Sequence, residues 1–494
     1  MSGTTGNPGA RLQMTQTTFS TDNLSRFYID GAWVTPSSDR GFPVLNPATE
    51  RKIGEIRLAD VQDVNAAVAA ANTAFERFSM TPKAERLKLL ERFLEVSRRR
   101  AEDLAHAMSM EMGAPMTMSR DEQAASGIGH LESFIDALRD QDERETLSNG
   151  DTLLREPIGV CGLITPWNWP INQIALKVVP ALATGCCCVL KPSEHTPISA
   201  MIYAEMIDEA GYPKGVFNLI QGDGAVAGST MSSHPDIQMM SFTGSIRAGT
   251  AITKNAADTV KRVTLELGGK SPNLVFADCD IDAQVAASVQ ECMFNTGQSC
   301  DAPTRLLVER RIYDRALDVA KQTAESMSLG DPAEEGDHLG PLFDKLQFDR
   351  VQSMIETGLA EGARLLTGGT GKPDGFETGW YVKPTIFADV QNDMRIAREE
   401  IFGPVLVVLP FEDEAEAIQI ANDTPYGLAA FIQTGDPARA ERVARRLKAG
   451  AVHINGGAIN FGSPFGGYKQ SGNGREGGRY GLEDYQELKT LHLS

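Results

Sequence analysis

One cysteine of the chain lies in a setting that could make it a nucleophile. Cys300 ends the segment FNTGQSC and is followed by DAPTR, so it follows a polar, glycine-containing stretch and not an apolar run. A lone cysteine is more often a small buried residue than a nucleophile. Because the thiolate is the reactive form and a free thiol has a pKa of about 8.5, the thiol is mostly protonated at neutral pH. A reactive Cys300 therefore needs a nearby cation, helix N-terminus or base.

Two other segments carry side chains that could act on a carbonyl beside such a thiol. Glu266 ends a strand-like run in LELGGKSPN, where βαβ proteins place groups that contact ligands. Asn168 lies between two tryptophans and two prolines in TPWNWP, and an amide fixed in this way could donate to an oxyanion. Viewed alone, each has a commoner interpretation, which is a surface carboxylate for Glu266 and a turn residue for Asn168.

Alternating strands and helices are predicted to position these residues. Short β-rich runs alternate with helix-length connections from about residue 158 to 267, and the alternation resumes after about residue 273. This pattern predicts parallel sheets covered by helices. Upstream, apolar spacing predicts one helix from Val61, capped by Asp60, and another after Thr81 and Pro82 that continues toward Met108. The glycine-rich residues 456–478 are predicted to form a long loop.

The composition limits the class of protein. The 494 residues are enough for at least two hydrophobic cores. A net charge of −19 would repel nucleic acids and anionic membranes, so neither is expected as a partner. No stretch approaches the roughly 20 apolar residues that span a bilayer. Seven cysteines, three of them contiguous at 186–188, favour a reducing cytoplasm over a disulfide framework. The histidines and cysteines do not have the spacing of a zinc site, so no catalytic metal is expected.

Five motifs together resemble one protein family. TPWNWP, LELGGKSPN and FNTGQSC occur in this order and are followed by EEIFGPV and PFGGYKQSGNGRE. This combination resembles the aldehyde dehydrogenase superfamily over roughly residues 25–490. The resemblance implies an α/β fold with a Rossmann-type NAD-binding domain, a second α/β catalytic domain and a β oligomerisation arm. The implied parts are a flexible tail (1–24), the NAD-binding domain (25–135 and 158–267), the catalytic domain (268–478) and the arm (136–157 and 479–494).

The resemblance implies a role for each reactive side chain. Cys300 would attack an aldehyde, and the Asn168 amide and the Cys300 backbone N–H would hold the resulting oxyanion. Glu266 would then activate the water that hydrolyses the thioester. Lys177 and Glu476 match positions suggested to relay protons from this base, although either could equally be a solvated or paired charge. The expected product is a carboxylic acid, and the alternatives are a coenzyme A-acylating semialdehyde dehydrogenase, which generally lacks the base, and a catalytically silent binding protein.

The resemblance also implies NAD as the cofactor. Lys191 and Glu194 of VLKPSE would bind the adenosine-ribose hydroxyls, and Glu194 would repel a 2′-phosphate, which makes NADP the weaker alternative. Gly244 and Ser245 of FTGSIRAG would lie against the pyrophosphate at a helix start. The remaining expected cofactor contacts are Thr165, Pro166, Trp167, Ser193, Gly224, Phe242, Leu267, Gly268, Glu400 and Phe402.

The expected substrate pocket is mainly aromatic and apolar. This character weakly favours a medium-chain aliphatic, terpenoid or aromatic aldehyde over a cationic amino-aldehyde. Asp301 replaces a residue that is neutral in many relatives, so it could raise the pKa of the thiol and disfavour anionic aldehydes. The residues expected to line the pocket by resemblance are Trp169, Leu176, Phe294, Ser299, Asp301 and Phe461.

Two further features have structural predictions. The run Cys186, Cys187 and Cys188 departs from the usual small and β-branched residues, and a buried strand explains it better than a metal site, because adjacent strand side chains point to opposite faces. The C-terminal YGLEDYQELKTLHLS resembles the strand of the oligomerisation arm. Since an exposed β edge invites a partner, a homodimer or homotetramer is expected.

Overall fold

The computed structural model describes residues 20–492 of the chain. Residues 1–19 of the predicted tail and the last two residues of the predicted arm lie outside the described residues. The elements up to the end of the predicted NAD-binding domain are β1 (Phe27–Ile29), β2 (Ala32–Val34), β3 (Gly41–Leu45), β4 (Lys52–Arg57), α1 (Val61–Phe78), α2 (Lys83–Arg99), α3 (Ala101–Met112), α4 (Met116–Met118), α5 (Ala125–Asp140), β5 (Arg144–Thr146), β6 (Thr152–Pro157), β7 (Val160–Ile164), α6 (Pro170–Thr184), β8 (Cys187–Lys191), α7 (Pro197–Glu209), β9 (Phe217–Leu219), α8 (Ser229–Ser233), β10 (Met239–Gly244), α9 (Ile246–Ala256) and β11 (Arg262–Leu267).

The remaining elements follow the same alternation of strands and helices. They are β12 (Pro272–Val275), α10 (Ile281–Met293), β13 (Arg305–Glu309), α11 (Tyr313–Ser326), α12 (Lys345–Ala360), β14 (Arg364–Thr367), β15 (Thr385–Ala388), α13 (Arg395–Arg398), β16 (Val405–Phe411), α14 (Glu414–Asn422), β17 (Ala429–Gln433), α15 (Pro437–Ala444), β18 (Ala451–Ile454), β19 (Gly472–Asn473), α16 (Gly478–Glu483) and β20 (Gln486–Leu491). No helix in the described part of the chain has both the length and the apolar character needed to cross a membrane.

Five parallel strands form the centre of the first sheet. The strand order is β19-β11-β10-β7-β8-β9-β1-β2, in which β11, β10, β7, β8 and β9 run parallel to one another. Every residue of β7 and β8 is buried, as expected for strands that helices cover on both faces. The register pairs Ile164 with Lys191 and Gly244 with Leu267, so the segments that follow these strands meet at one edge.

A second, seven-stranded sheet follows in the chain. Its order is β14-β15-β16-β13-β12-β17-β18, and only β14 runs antiparallel to its neighbour. Its two faces have separate apolar cores. Leu307 packs into one core and Leu306 and Val308 into the other, because successive strand side chains alternate between faces. The predicted α/β fold with a second α/β unit is therefore confirmed.

The predicted β arm is a three-stranded antiparallel sheet. β20 pairs with β6, and β6 pairs with β5. β5 is fully exposed, and Leu488 in β20 is 64% exposed. Arg262 of β11 holds the start of this arm, because its guanidinium donates to the carbonyls of Asp484 and Gln486 at 2.8 Å each.

The contiguous cysteines are buried at the start of β8, one of the five parallel strands of the first sheet. Cys187 and Cys188 open β8, and Cys186 directly precedes it. All three side chains are buried, so the prediction of a buried strand is confirmed. Burial raises the pKa of the Cys187 and Cys188 thiols well above the usual range.

The N-terminal helices differ in one respect from the prediction. α1 begins at Val61 with Asp60 as its cap, as predicted. The helix after Pro82 does not continue to Met108, because Arg100 leaves helical geometry (φ −97°, ψ 8°) and separates α2 from α3. Arg100 Nη2 donates to Glu205 Oε2 of α7 at 3.2 Å. The break between α2 and α3 therefore lies where the Arg100 side chain contacts a neighbouring helix.

The glycine-rich loop (residues 456–478) is irregular over most of its length, as predicted, and it joins the two sheets. Its short strand β19 pairs with β11 of the first sheet, although residues 472–473 lie within the range predicted for the catalytic domain. The Tyr468 N–H in the same loop donates to the carbonyl of Gly427, just before β17 of the second sheet. The loop therefore passes close to the end of β11, where Glu266 lies.

Candidate active site

A cavity of about 160 Å³ opens at the carboxyl edge of the first sheet, facing loops of the second. Apart from Thr243, Gln347 and Arg350, all of its lining residues are among those predicted from the sequence. The lining residues are Pro166, Trp167, Asn168, Thr243, Gly244, Ser245, Glu266, Leu267, Gly268, Cys300, Gln347, Arg350, Glu400 and Phe402.

Close backbone packing holds Cys300 in this cavity. The thiol is half-buried and follows a turn in which Asn295 and Thr296 have positive φ angles of 52° and 56°. Gly269 lies against it, since a Cβ at that position would be 2.3 Å from the Cys300 carbonyl oxygen. The sequence LELGG therefore needs its second glycine to let the backbone after Glu266 approach Cys300.

The thiol of Cys300 is protonated at neutral pH in this environment. Burial raises its pKa well above the usual range, and the negative charges of Asp301, Glu400 and Glu266 raise it further. The contribution of Asp301 has the direction expected from the sequence. A base must therefore take the thiol proton before Cys300 can attack.

Asn168 is fixed from two sides. Its backbone carbonyl accepts hydrogen bonds from Gln123 Nε2 and Asn295 Nδ2, both at 3.0 Å. Its own Nδ2 donates to the carbonyl of Gln298 at 2.9 Å. Since a primary amide carries two N–H groups, the second remains available to a ligand in the cavity. The adjacent Trp167 ring stacks on Phe343, with centroids 3.6 Å apart, which stiffens the loop.

Glu266 is a buried carboxyl beneath the glycine-rich loop. It is 5% exposed, and neither carboxylate oxygen has a partner among residues 20–492. Gly466 of the glycine-rich loop covers it, because a Cβ there would lie 2.6 Å from Glu266 Oε1. Burial raises the pKa of Glu266 well above the usual range, and the charge of Glu476 raises it further. Such a carboxyl favours its protonated form and gains a proton readily.

Lys177 and Glu476 form a buried ion pair beside this carboxyl. Lys177 lies in α6. Glu476 lies in the glycine-rich loop, where its backbone pairs with that of Phe465. Both act on Glu266 through space, since Glu476 raises the pKa of Glu266 and Lys177 lowers it. The structure thus brings the three residues together, and no hydrogen bond joins Glu266 to the pair within the described chain. Their role in a relay stays a prediction.

The other residues expected to contact the cofactor lie along the same sheet edge. Lys191 Nζ donates to the carbonyls of Pro192 and Gly222 at 2.9 and 2.8 Å, and it lies 3.6 Å from Glu194 Oε2. Ser245 caps α9, where its hydroxyl accepts the Ala248 N–H. The predicted contacts at or after the ends of β7, β8, β9 and β10 that do not line the cavity are Thr165, Lys191, Ser193, Glu194, Gly224 and Phe242.

Sequence reasoning missed the helix that holds Glu400 and Phe402. Gln347 Nε2 donates to the carbonyls of Ile401 and Phe402 at 3.0 and 2.7 Å, and Arg350 Nη2 donates to the carbonyl of Glu400 at 2.6 Å. Phe402 has a positive φ of 62°, which a non-glycine residue adopts only when its surroundings hold it. Gln347 and Arg350 share one face of α12, and this three-residue spacing is the only sequence signal for them.

The Glu400 side chain is held by the two glycines that follow β11. Its Oε1 accepts the Gly269 N–H at 3.0 Å, and a Cβ on Gly268 would lie 2.2 Å from Oε2. Burial raises the pKa of Glu400 to about 7. The LELGG and EEIFGPV motifs are therefore in direct contact. Gly268 leaves room for the Glu400 side chain, and Gly269 leaves room for the backbone of Cys300.

The residues expected to contact the substrate include one compact group. Trp169 Nε1 donates to Ser299 Oγ at 2.9 Å, and its ring lies 6.0 Å from that of Phe294. Leu176 is buried in α6. Phe461 of the glycine-rich loop is 53% exposed and packs edge-on against His130 of α5, with centroids 5.0 Å apart. Their roles stay predictions.

The chain is similar to known proteins over nearly its whole length. Residues 33–491 match the model of the Aldehyde dehydrogenase family. Among curated proteins, 3-succinoylsemialdehyde-pyridine dehydrogenase of a Pseudomonas species is 50% identical over 466 residues, which cover 94% of this chain and 98% of that protein. A putative aldehyde dehydrogenase of Staphylococcus saprophyticus is 46% identical over 469 residues, which cover 95% of this chain and 98% of that protein.

Solved structures give the same result. The crystal structure of an aldehyde dehydrogenase from Bartonella henselae has a TM-score of 0.93 and 50% identity, and the match covers 94% of this chain and 98% of that one. A mutant of aldehyde dehydrogenase C from Pseudomonas syringae, in complex with NAD+ and octanal, has a TM-score of 0.93 and 47% identity, with coverage of 95% and 96%.

Proposed function

Because the chain belongs to the aldehyde dehydrogenase family, we propose that it oxidises an aldehyde to a carboxylic acid, with NAD as the hydride acceptor and water as the acyl acceptor. The observation that carries this proposal is the shared cavity, in which Cys300, Glu266 and Asn168 lie with the residues expected to hold the cofactor. Each of the three side chains has a task that its environment supports.

Acylation begins with Cys300. Once the thiol has lost its proton to water, Cys300 Sγ bonds to the carbonyl carbon of the aldehyde and the carbonyl oxygen becomes an oxyanion. The free N–H of Asn168 and the backbone N–H of Cys300 donate to this oxyanion. When hydride leaves the carbon, the C=O bond forms again and a thioester remains on Cys300.

Deacylation depends on Glu266. Its carboxylate accepts a proton from water, the water oxygen bonds to the thioester carbon, and the C–S bond breaks to release the acid. The raised pKa suits this role, because a carboxylate with a raised pKa binds a proton more strongly than an ordinary carboxylate does. The Lys177–Glu476 pair would carry the proton away from Glu266.

The residues at the sheet edge fit a dinucleotide. Lys191 uses two of its three N–H groups on backbone carbonyls, which leaves one for a ribose hydroxyl beside the Glu194 carboxylate. Nothing lies within 4 Å of where a Gly224 side chain would begin, and α9 presents its N-terminus at Ser245 for a pyrophosphate. When bound, NAD supplies the acceptor for the hydride. Glu194 would repel a 2′-phosphate, which supports NAD over NADP.

We propose a medium-chain aliphatic or aromatic aldehyde as the substrate. The aromatic contact between Trp169 and Phe294 supports this class, since an apolar pocket favours an apolar chain. Two relatives agree with it. One was solved with octanal, and the other is named for a semialdehyde that carries a pyridine ring. A terpenoid aldehyde fits the same description.

The arm supports assembly into a homodimer or homotetramer. All three residues of its outer strand β5 are exposed, and an exposed strand edge is a template for pairing with another chain. A second copy of the chain would cover this edge. All seven cysteines are free thiols, which suits the proposed cytoplasmic location.

NADH formation tests the proposal directly. Octanal, benzaldehyde, a carboxylated aldehyde and an amino-aldehyde are compared with and without coenzyme A, in the wild type, Cys300→Ala and the matched control Cys279→Ala. We expect turnover without coenzyme A that the control retains and Cys300→Ala loses. Turnover that requires coenzyme A would replace this proposal with the acylating alternative, and no turnover with any aldehyde would favour the silent binding protein.

A further inference from the structure

A narrow crevice lies in the second α/β unit, directly after the active-site glycines in the chain. Lys270 and Ser271 line it on one side, and Asn422, Thr424 and Lys448 are among the residues that line the other. Its free volume is about 10 Å³, which is room for one water molecule or one small ion. It contains none of the residues that line the active-site cavity.

Two buried polar side chains are among the residues that line this crevice. Lys270 and Ser271 are 1% and 2% exposed. Neither Lys270 Nζ nor Ser271 Oγ has a hydrogen-bond partner among residues 20–492. A buried ammonium group without an acceptor is costly, so a native protein normally pairs it or places an ion or water against it. The two atoms therefore indicate an occupant that accepts hydrogen bonds.

The charge around the crevice favours an anion over water. Arg305 is fully buried nearby, and its guanidinium donates only to neutral acceptors, which are the carbonyls of Lys270, Ile420 and Ala421 and the amide oxygen of Asn392. The pKa of Lys270 is lowered to about 7, mainly by burial and also by the charge of Arg305, while the charges of Glu400 and Glu399 act in the opposite direction. Within the described chain, these two buried basic groups thus lie together without a hydrogen-bonded carboxylate. Glu400 and Glu399 act on Lys270, and Asp423 acts on Arg305, only through space, and a neutral water molecule would add nothing to this partial compensation.

A path from solvent exists. The crevice shares Asn422, Thr424 and Lys448 with a wider surface depression of about 540 Å³. Lys469 and Arg398 also line this depression, and the charges of Arg305 and Lys448 both lower the pKa of Lys469. Positive potential therefore extends from the surface to Lys270, although Glu399 and Asp423 at the rim reduce it.

We propose that the crevice is a binding site for a small monovalent anion such as chloride, held between the Lys270 ammonium and the Ser271 hydroxyl. The ion accepts hydrogen bonds from both groups and compensates the charge of Lys270 and Arg305. The small volume restricts the site to a single compact ion and excludes phosphate and carboxylates. The site is independent of the proposed oxidation of aldehydes.

Anomalous scattering from bromide locates the ion in the wild-type protein. Crystals are grown in sodium gluconate, soaked in sodium bromide and measured at the bromine absorption edge. We expect an anomalous peak in the crevice at hydrogen-bonding distance from Lys270 Nζ and Ser271 Oγ. A peak only on the surface lysines, or no peak with a water molecule in the crevice, would overturn the proposal. This measurement needs no variant and therefore does not depend on the folding of one.

Thermal unfolding tests the same site in solution. The Tm is measured in sodium chloride and in sodium gluconate at equal concentration, because gluconate is too large for the crevice. We expect chloride to raise the wild-type Tm by about 1–3 °C relative to gluconate. Lys270→Met and Ser271→Ala should reduce this difference, and the exposed control Lys321→Met should retain it. An equal chloride effect in all four proteins would show a general salt effect and refute the site.

Discussion

At the scale of single residues, the candidate site keeps ionisable groups in places where their charged forms are disfavoured. Burial disfavours the charged forms of both Glu266 and Cys300, because it raises the pKa of each. Glu400 has a pKa of about 7, so its charged and neutral forms are both populated near neutral pH. Perturbed pKa values of this kind cluster at functional sites. The same burial that would be a defect elsewhere makes Glu266 a stronger proton acceptor than an exposed carboxylate.

Glu266→Gln should separate the two halves of the reaction. We expect a first burst of NADH as the thioester forms, followed by turnover about 10²- to 10⁴-fold slower than in the wild type, because no base activates the water. Stopped-flow absorbance measures both phases. The exposed control Glu356→Gln should behave as the wild type. A variant with no burst and no acyl-enzyme would mean that Glu266 is required before the thioester forms.

The pH dependence of deacylation follows from the same carboxyl. The folded-state pKa of Glu266 lies above its usual value, so its carboxylate form increases as pH rises through that raised pKa. Steady-state turnover should therefore rise with pH, and in Glu266→Gln this rise should disappear. An unchanged pH profile in the variant would assign the titration to another group.

Asp301→Asn should make the nucleophile easier to ionise. The Asp301 charge raises the pKa of the Cys300 thiol, so its removal should move the pH midpoint of inactivation by iodoacetamide to lower pH. The same change should improve kcat/KM for carboxylated aldehydes relative to neutral ones. The exposed Asp318→Asn is the matched control. If the selectivity stays unchanged, Asp301 does not select against anionic aldehydes.

At the scale of elements, the sequence predicted those parts of the site that lie at strand ends and missed those held by a helix. Lys191 and Gly244 end parallel strands, and Glu266 lies one residue before the end of another. The fold brings such ends together at one edge. Gln347 and Arg350 hold the backbone around Glu400 and Phe402 through hydrogen bonds to carbonyls that lie 50 to 55 residues further along the chain. No pattern in the sequence records which backbone a helix will contact.

The helix α12 should therefore matter for cofactor affinity. Gln347→Ala leaves the carbonyls of Ile401 and Phe402 without their donor, so Phe402 can leave its positive φ. We expect the KM for NAD to rise about tenfold, which corresponds to the loss of one or two hydrogen bonds, with a smaller change in the KM for aldehyde. Gln352→Ala on the same helix is the control. Equal changes in both KM values would indicate general loosening and not a role at the cofactor.

At the scale of the whole molecule, one chain forms two sheets, and the glycine-rich loop connects both. β19 extends the first sheet, and Tyr468 in the same loop bonds to the strand region of the second. The division of the chain at about residue 267 was predicted from strand alternation, whereas the return of residues 472–473 to the first sheet was not. Two residues without periodicity give no sequence signal for a strand, and only the finished fold supplies their partner.

The arm depends on the first sheet through one side chain. Arg262 donates to the carbonyls of Asp484 and Gln486 and pairs with Glu487 at 2.9 Å, so Arg262→Met would leave two carbonyls unpaired where the arm begins. We expect the free energy of unfolding to fall by about 2–4 kcal/mol and the oligomer to dissociate at higher protein concentration than in the wild type. Thermal unfolding and light scattering measure the two effects, with Arg479→Met as the exposed control. A less stable chain whose assembly is unchanged would mean that the arm does not hold the copies together.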